Sequence, residues 1–185
     1  MRLFRIAKAR HIGDLTGEGA RLFGNRWNQK GIPVIYTSEN LSLAALEYLV
    51  HMPLVLAPPH LRYRSFDVPD DVKITKSGVK TLPAGWDAMP FREETARIGS
   101  AWALSGKTLM LRVPSVMVPG EHNFLINPLH ADFRKIRTGR PRPFRFDERL
   151  LRRKTCSGKK LSSGWRPCRK LNEYHLSAII QQSPC

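Results

Sequence analysis

Cysteine is absent from the body of this 185-residue chain, and its three copies, Cys156, Cys168 and Cys185, all fall in the last fifth. An odd, late cluster without C-x-x-C spacing makes a poor disulfide framework and a poor zinc site, so no metal is expected. No apolar run approaches the roughly 18 residues of a membrane span, and the opening MRLFRIAKARHIGDL lacks the apolar stretch of a secretion signal. These absences point to a reducing, cytoplasmic setting and no membrane partner. Also missing are G-x-S-x-G, H-E-x-x-H, a Walker loop and a dinucleotide G-x-G-x-x-G, so the common hydrolase, metalloprotease, nucleoside-triphosphatase and dehydrogenase readings have no anchor.

Acidic residues are scarce: 15 Asp and Glu stand against 31 Lys and Arg, a net charge of +16. Alone, that excess would suggest a polyanion partner. It is unevenly spread, however: residues 151–185 carry eight Lys and Arg against the single Glu173. The whole chain is 42% hydrophobic, and its composition divides it into a body, residues 1–150, able to build a core, and a basic, cysteine-bearing tail, residues 151–185, with too little apolar surface to fold alone. The body's basic residues lack regularly interleaved aromatics, so direct nucleic-acid binding is the weaker reading.

Within the body, residues 17–51, GEGARLFGNRWNQKGIPVIYTSENLSLAALEYLVH, concentrate glycines, Arg26 beside Trp27, a strand pattern in IPVIYT and a helix over residues 41–50 capped by Ser38 or Asn40. On that helix Glu47 stands among Leu43, Ala44, Val50 and His51. A carboxylate so placed requires a cation or hydroxyl from across the fold, unless it pairs with His51 at the surface. The opening RLFRIAK reads as a strand with Leu3 and Arg5 on one side and Phe4 and Ile6 on the other. Further strands are expected in YRSFDV, VKIT and TLMLRV, and Trp86 in the loop PAGWDAMPF is expected to pack on the core. A helix over residues 93–105 should bury Ala96, Ile98, Ala101, Trp102 and Leu104. Pro114 breaks the ladder and aims Ser115, which serves either a ligand or the local backbone. Asn123, Asn127 and His130 surround NFLINP, where binding and turn readings compete.

These motifs carry a resemblance. In order along residues 1–150, the 17–51 stretch, LPAGW, LRVPSVMVP, NFLINPLHADF and FRFDERL resemble the RES domain family, the toxin half of bacterial RES–Xre toxin–antitoxin modules. Asn25, where the family usually has a second glycine before the arginine, and Ala131, where proline is commoner, are departures. The resemblance implies an α+β fold, a compact ADP-ribosyltransferase-like core of small mixed or antiparallel sheets with flanking helices. It also implies degradation of NAD by cleavage of the nicotinamide–ribose bond, through hydrolysis or phosphorolysis, with NAD as substrate, inorganic phosphate as an optional co-substrate and no resident cofactor. The implied catalytic residues are Glu47, Arg26 and Ser115. Arg5, Arg26, Trp27, Tyr36 and Asn127 are implied to bind NAD, and the implied partner is an Xre-type antitoxin, through which alone nucleic acid would be met, within a larger oligomer. Transfer of ADP-ribose to a protein target is the alternative enzymatic reading. A basic nucleic-acid-binding protein or an inactive remnant is the alternative from another class.

Overall fold

In the computed structural model, which describes residues 1–51 and 60–151, the chain forms a mixed sheet with flanking helices, an α+β fold. The expectations for residues 152–185 lie outside the described residues. The strands are β1 (Arg2–Lys8), β2 (Ile35–Ser38), β3 (Leu61–Asp67), β4 (Ile74–Lys76), β5 (Met110–Pro114), β6 (His122–Ile126), β7 (Arg137–Thr138) and β8 (Arg142–Phe144). They join into one eight-stranded sheet in the order β4-β5-β6-β2-β1-β3-β7, with β8 also on β3. β4 runs parallel to β5 and the other pairings are antiparallel. The anticipated small sheets are thus hydrogen-bonded into one.

Alternation along the strands decides what each face carries, because residues opposite one another in an antiparallel pair share a face. One face presents Leu3 and Phe66, paired across β1 and β3, and Met110, Ile126 and Ile35, aligned across β5, β6 and β2. With Val68, Leu109, Phe124 and Ile136 they form a closed apolar cluster. The other face presents Phe4 and Ile6, Tyr36 and Ser38, Asn123 and Leu125, and Leu111 and Val113. Two helices cover it. α2 (Leu41–Val50) lies over Ile6 and Phe4 through Leu41, Ala44, Ala45 and Tyr48, while α3 (Glu93–Ser105) lays Trp102 and Ala103 against Leu111, Val113 and Leu125.

α2 begins as its sequence requires. Asn40, in an extended conformation, accepts from the Leu43 amide at 2.7 Å and so satisfies one of the orphan donors of the first turn. α3 has the expected bounds but a different buried face. Ala101 and Leu104 are exposed, Leu104 at 74%, while Thr95, Ala96, Gly99, Ser100, Trp102 and Ala103 are buried. The reason is a backbone contact that hydrophobic spacing does not encode. Gly99 lies so close to Trp27 that a Cβ there would sit 1.9 Å from the Trp27 carbonyl oxygen. The helix docks by its small residues, and Ser100 Oγ completes the contact by accepting from the Gln29 amide at 2.8 Å.

The segment before β2 carries a short helix, α1 (Glu18–Phe23), entered through Gly17 at φ 73°. A Cβ at Gly17 would meet the Val34 amide nitrogen at 2.7 Å, so both the left-handed backbone and the close approach require glycine. Asn25, one of the departures, causes no strain: its φ is not positive, it exchanges backbone hydrogen bonds with Asn28, and its Oδ1 accepts from the Arg26 amide at 2.8 Å. Ala131, the other departure, opens a 3-10 turn (Ala131–Lys135) and is exposed.

Candidate active site

Glu47 faces the sheet one turn before the end of α2. Its Oε1 accepts from Ser115 Oγ at 2.9 Å and from Asn123 Nδ2 at 2.6 Å. The partners come from 68 and 76 residues away, so the carboxylate finds its hydroxyl across the fold rather than pairing locally with His51. Ser115 follows the last residue of β5 and keeps the antiparallel pairing, its amide donating to the Glu121 carbonyl at 2.9 Å. Its Oγ also accepts from the Met117 and Val118 amides at 3.0 and 3.2 Å. Both roles weighed for this serine are therefore filled by one atom. With its lone pairs taken by backbone donors, its single proton is directed to Glu47.

Both bonds fall on Oε1, which leaves Oε2 of a half-buried carboxylate for a ligand. The cation in range is Arg26. Burial lowers the pKa of its guanidinium, an effect opposed by the negative charges of Glu47 and Asp87. Nη1 and Nη2 of Arg26 donate to the Trp86 and Ala88 carbonyls at 2.5 and 3.1 Å. The arginine thus holds the 86–88 loop beside the site and keeps further N–H groups for an anion.

Tyr36 shares its sheet face with Ser38 and Asn123, and its hydroxyl is spent inside the protein, donating to Asn28 Oδ1 at 2.8 Å and accepting from the Trp27 amide at 3.2 Å. Burial raises the pKa of that hydroxyl, which stays protonated. Only the ring remains to meet a ligand. Asn28, 1% exposed, also donates to the Ala20 and Ile32 carbonyls at 2.8 and 3.0 Å and ties the GNRWN turn to its surroundings.

Three of the expected NAD contacts are not brought to this cluster. Arg5 alternates onto the opposite face of the sheet from Phe4 and Ile6, stands directly across from Arg64, and donates to the Asp14 carbonyl at 2.7 Å. Trp27 is only 3% exposed, packed with Val34, Trp102 and Leu111 and tilted on Trp86 at 6.3 Å between ring centroids, so its ring is core rather than a stacking surface. Trp86 packs there as expected. Asn127 is buried and engaged at both ends of its amide: Nδ2 donates to the Ala103 carbonyl at 2.8 Å and Oδ1 accepts from the Leu129 amide at 3.0 Å, which makes it the turn residue that binds β6 to α3. Of Asn123 and Asn127, it is Asn123 that stands on Glu47. Its alternation with buried Phe124 and Ile126 along β6 was the available signal, and its partner was not.

His51 ends α2 within electrostatic reach of Glu47 and Arg26. His51 keeps much of its surface, yet the protein packed around its imidazole lowers its pKa, Glu47 raises it and Arg26 lowers it again, with a net downward shift. The unfolded chain, with an ordinary histidine pKa of about 6.5, then takes up the proton first as pH falls. Stability should therefore decline as pH drops from about 7 to about 5, and His51→Gln should flatten that slope in thermal melts. An equal slope in the variant would contradict the assignment.

Among the described residues, no three His, Cys, Asp or Glu side chains are grouped to hold a metal ion, and no helix is long and apolar enough to cross a membrane. Two surface concavities among the described residues lie away from Glu47. One of about 560 Å³ is bordered by Asp67, Asp71, Arg134 and Arg137, and one of about 290 Å³ by Phe23, Asn28, Phe91 and Ala96. The chemistry of the Glu47 cluster, rather than cavity size, singles it out.

Comparison with known proteins agrees with the fold. Residues 2–147 match the RES domain model. The chain is 38% identical over 155 residues to the Prs ADP-ribosylating toxin of Sphingobium sp. (strain YBL2), covering 82% of this chain and 96% of that one. It is 35% identical over 156 residues to Toxin Res of Photorhabdus laumondii, covering 83% and 99%. Among solved structures it is similar to the M. tuberculosis MbcT–MbcA toxin–antitoxin complex, with a TM-score of 0.59 and 20% identity over 77% of this chain and 83% of that one, a likeness of fold. With a family model matched across its folded body and relatives aligned over nearly their full length, the chain belongs to the RES domain family.

Proposed function

We propose that the chain is the toxin of a toxin–antitoxin pair and acts by breaking the nicotinamide–ribose bond of NAD. The observation that carries this reading is the fixed carboxylate of Glu47, with one oxygen saturated by Ser115 and Asn123 and the other open beside Arg26. Nicotinamide leaves NAD as a neutral base from a cationic precursor, so bond cleavage needs no proton donor and no second carboxylate, unlike ordinary glycoside hydrolysis. What the site must supply is stabilisation of the positive charge that develops on the ribose. A preorganised carboxylate does this, with Oε2 also accepting from a ribose hydroxyl. Arg26 takes the pyrophosphate and the Tyr36 ring borders the nicotinamide riboside. With water as acceptor, the C–N bond to nicotinamide breaks, a C–O bond to ribose forms, and the water's second proton goes to solvent; inorganic phosphate can replace water.

A second reading is favoured by a specific likeness: a relative with 38% identity is named an ADP-ribosylating toxin, and in this reading the acceptor is a protein side chain with the same bond broken. Incubation of the purified chain with labelled NAD, with and without phosphate and with a bacterial lysate, separates the acceptors. Free nicotinamide with ADP-ribose or its phosphate supports depletion, and a labelled protein band supports transfer. Absence of nicotinamide release in every arm contradicts both. The partner is proposed to be an Xre-type antitoxin that covers the Glu47 cluster; the similar MbcT–MbcA structure is itself a toxin–antitoxin complex.

A further inference from the structure

We propose that Asn123 is a positioning residue for Glu47 and that Ser38 sets the orientation of its amide; the inference rests on the reading of Glu47 as the catalytic carboxylate. Ser38 and Asn123 are cross-strand partners on β2 and β6, so their side chains stand together on the face covered by α2. Ser38 Oγ lies 2.7 Å from Asn123 Oδ1, and Asn123 Nδ2 lies 2.6 Å from Glu47 Oε1.

The order of donors along this chain has one solution. A carboxylate oxygen only accepts, so the amide must turn its NH₂ to Glu47 and its carbonyl to Ser38, and the Ser38 hydroxyl must donate. Ser38 is 4% exposed, and an amide flip would oppose Oδ1 to Oε1 while leaving the buried serine proton facing an NH₂. On the other side Ser115 is equally constrained by the Met117 and Val118 amides. Oε1 therefore receives two hydrogen bonds from groups that cannot turn away. They fix rotation of the carboxyl group and direct Oε2 to the ligand.

Removing Asn123 frees that rotation without touching the ligand. For nicotinamide release by the full chain, Asn123→Ala should lower kcat by about 10- to 100-fold with KM changed by less than about threefold, the size usual for lost supporting hydrogen bonds. Ser38→Ala should lower kcat several-fold, and Ser38→Thr, which keeps the donor, should restore it. Asn123→Asp sets a second carboxylate against the first, so the acid limb of the pH–rate profile should move to higher pH. Rates within about twofold of the unaltered chain and an unmoved acid limb would overturn the proposal, as would a KM effect alone. The Glu47 carboxyl carbon in ¹³C-labelled protein supplies a readout without turnover: its resonance should shift in Asn123→Ala and in Ser38→Ala. If the unaltered chain released no nicotinamide, the reading of function would fail, and an unmoved resonance would separately sink the positioning role. Should Asn123→Ala not fold, Ser38→Ala and Ser38→Thr carry the same comparison.

Discussion

Glu47→Gln should reduce nicotinamide release from NAD by about two to three orders of magnitude, the scale found when a preorganised electrostatic group is removed from a reacting centre. The substitution keeps size and removes charge. Because Glu47 Oε1 only accepts, from Ser115 and Asn123, a glutamine that turns its carbonyl to the same donors preserves both bonds. Its NH₂ then occupies the place of Oε2, where the developing ribose cation needs a negative charge. Thermal stability should therefore change little while kcat falls. Glu47→Ala would in addition leave the Asn123 amide without its acceptor, and should lose stability as well as activity. A glutamine variant with more than about a tenth of the original rate would show that the charge of Glu47 is not the reacting element.

Gly99→Ala is expected to disturb the fold strongly for a single added methyl group. Its Cβ would lie 1.9 Å from the Trp27 carbonyl oxygen and 2.8 Å from the carbonyl carbon, both backbone atoms that cannot rotate aside. α3 must move off the GNRWN turn, opening the contact among Trp27, Trp102 and Leu111. Overpacking of this kind costs about 1–3 kcal/mol or more, to be read as a lower denaturation midpoint. Because Trp27 adjoins Arg26, whose guanidinium holds the Trp86 and Ala88 carbonyls, residual folded protein should also release nicotinamide more slowly. Gly19→Ala supplies the control: it sits in α1 with nothing within 4 Å of the added Cβ and an ordinary φ, and it should be neutral or slightly stabilising. Equal midpoints for the two variants would contradict the docking described for α3.

Local chemistry was legible in the sequence. A cap at Ser38 or Asn40, the β-branched run of β2, the bounds of α3 and the need of Glu47 for a partner, distant or at His51, all follow from residues close together in the chain. The identity of that partner does not, since Ser115 and Asn123 reach Glu47 only through the β5–β6 hairpin and its pairing with β2. The buried face of α3 escaped hydrophobic spacing because it is set by Gly99 against a carbonyl rather than by side-chain size. Arg5 is instructive in the opposite direction. Period-two alternation places it with Leu3 and away from Phe4, and the register with β3 agrees. Trp27 and Asn127 stand apart from the Glu47 cluster for a related reason. An aromatic and an amide beside glycine and proline signals look available in one dimension, and each is consumed by packing or turn bonds in three.

Cleavage of the nicotinamide–ribose bond of NAD by the Glu47 cluster is tested by the time course of nicotinamide appearance with the purified full chain and its Glu47→Gln variant, at equal concentrations and with matched melts. The unaltered chain should release many molecules of nicotinamide per protein molecule and the variant nearly none. Equal curves from two equally folded proteins would contradict it.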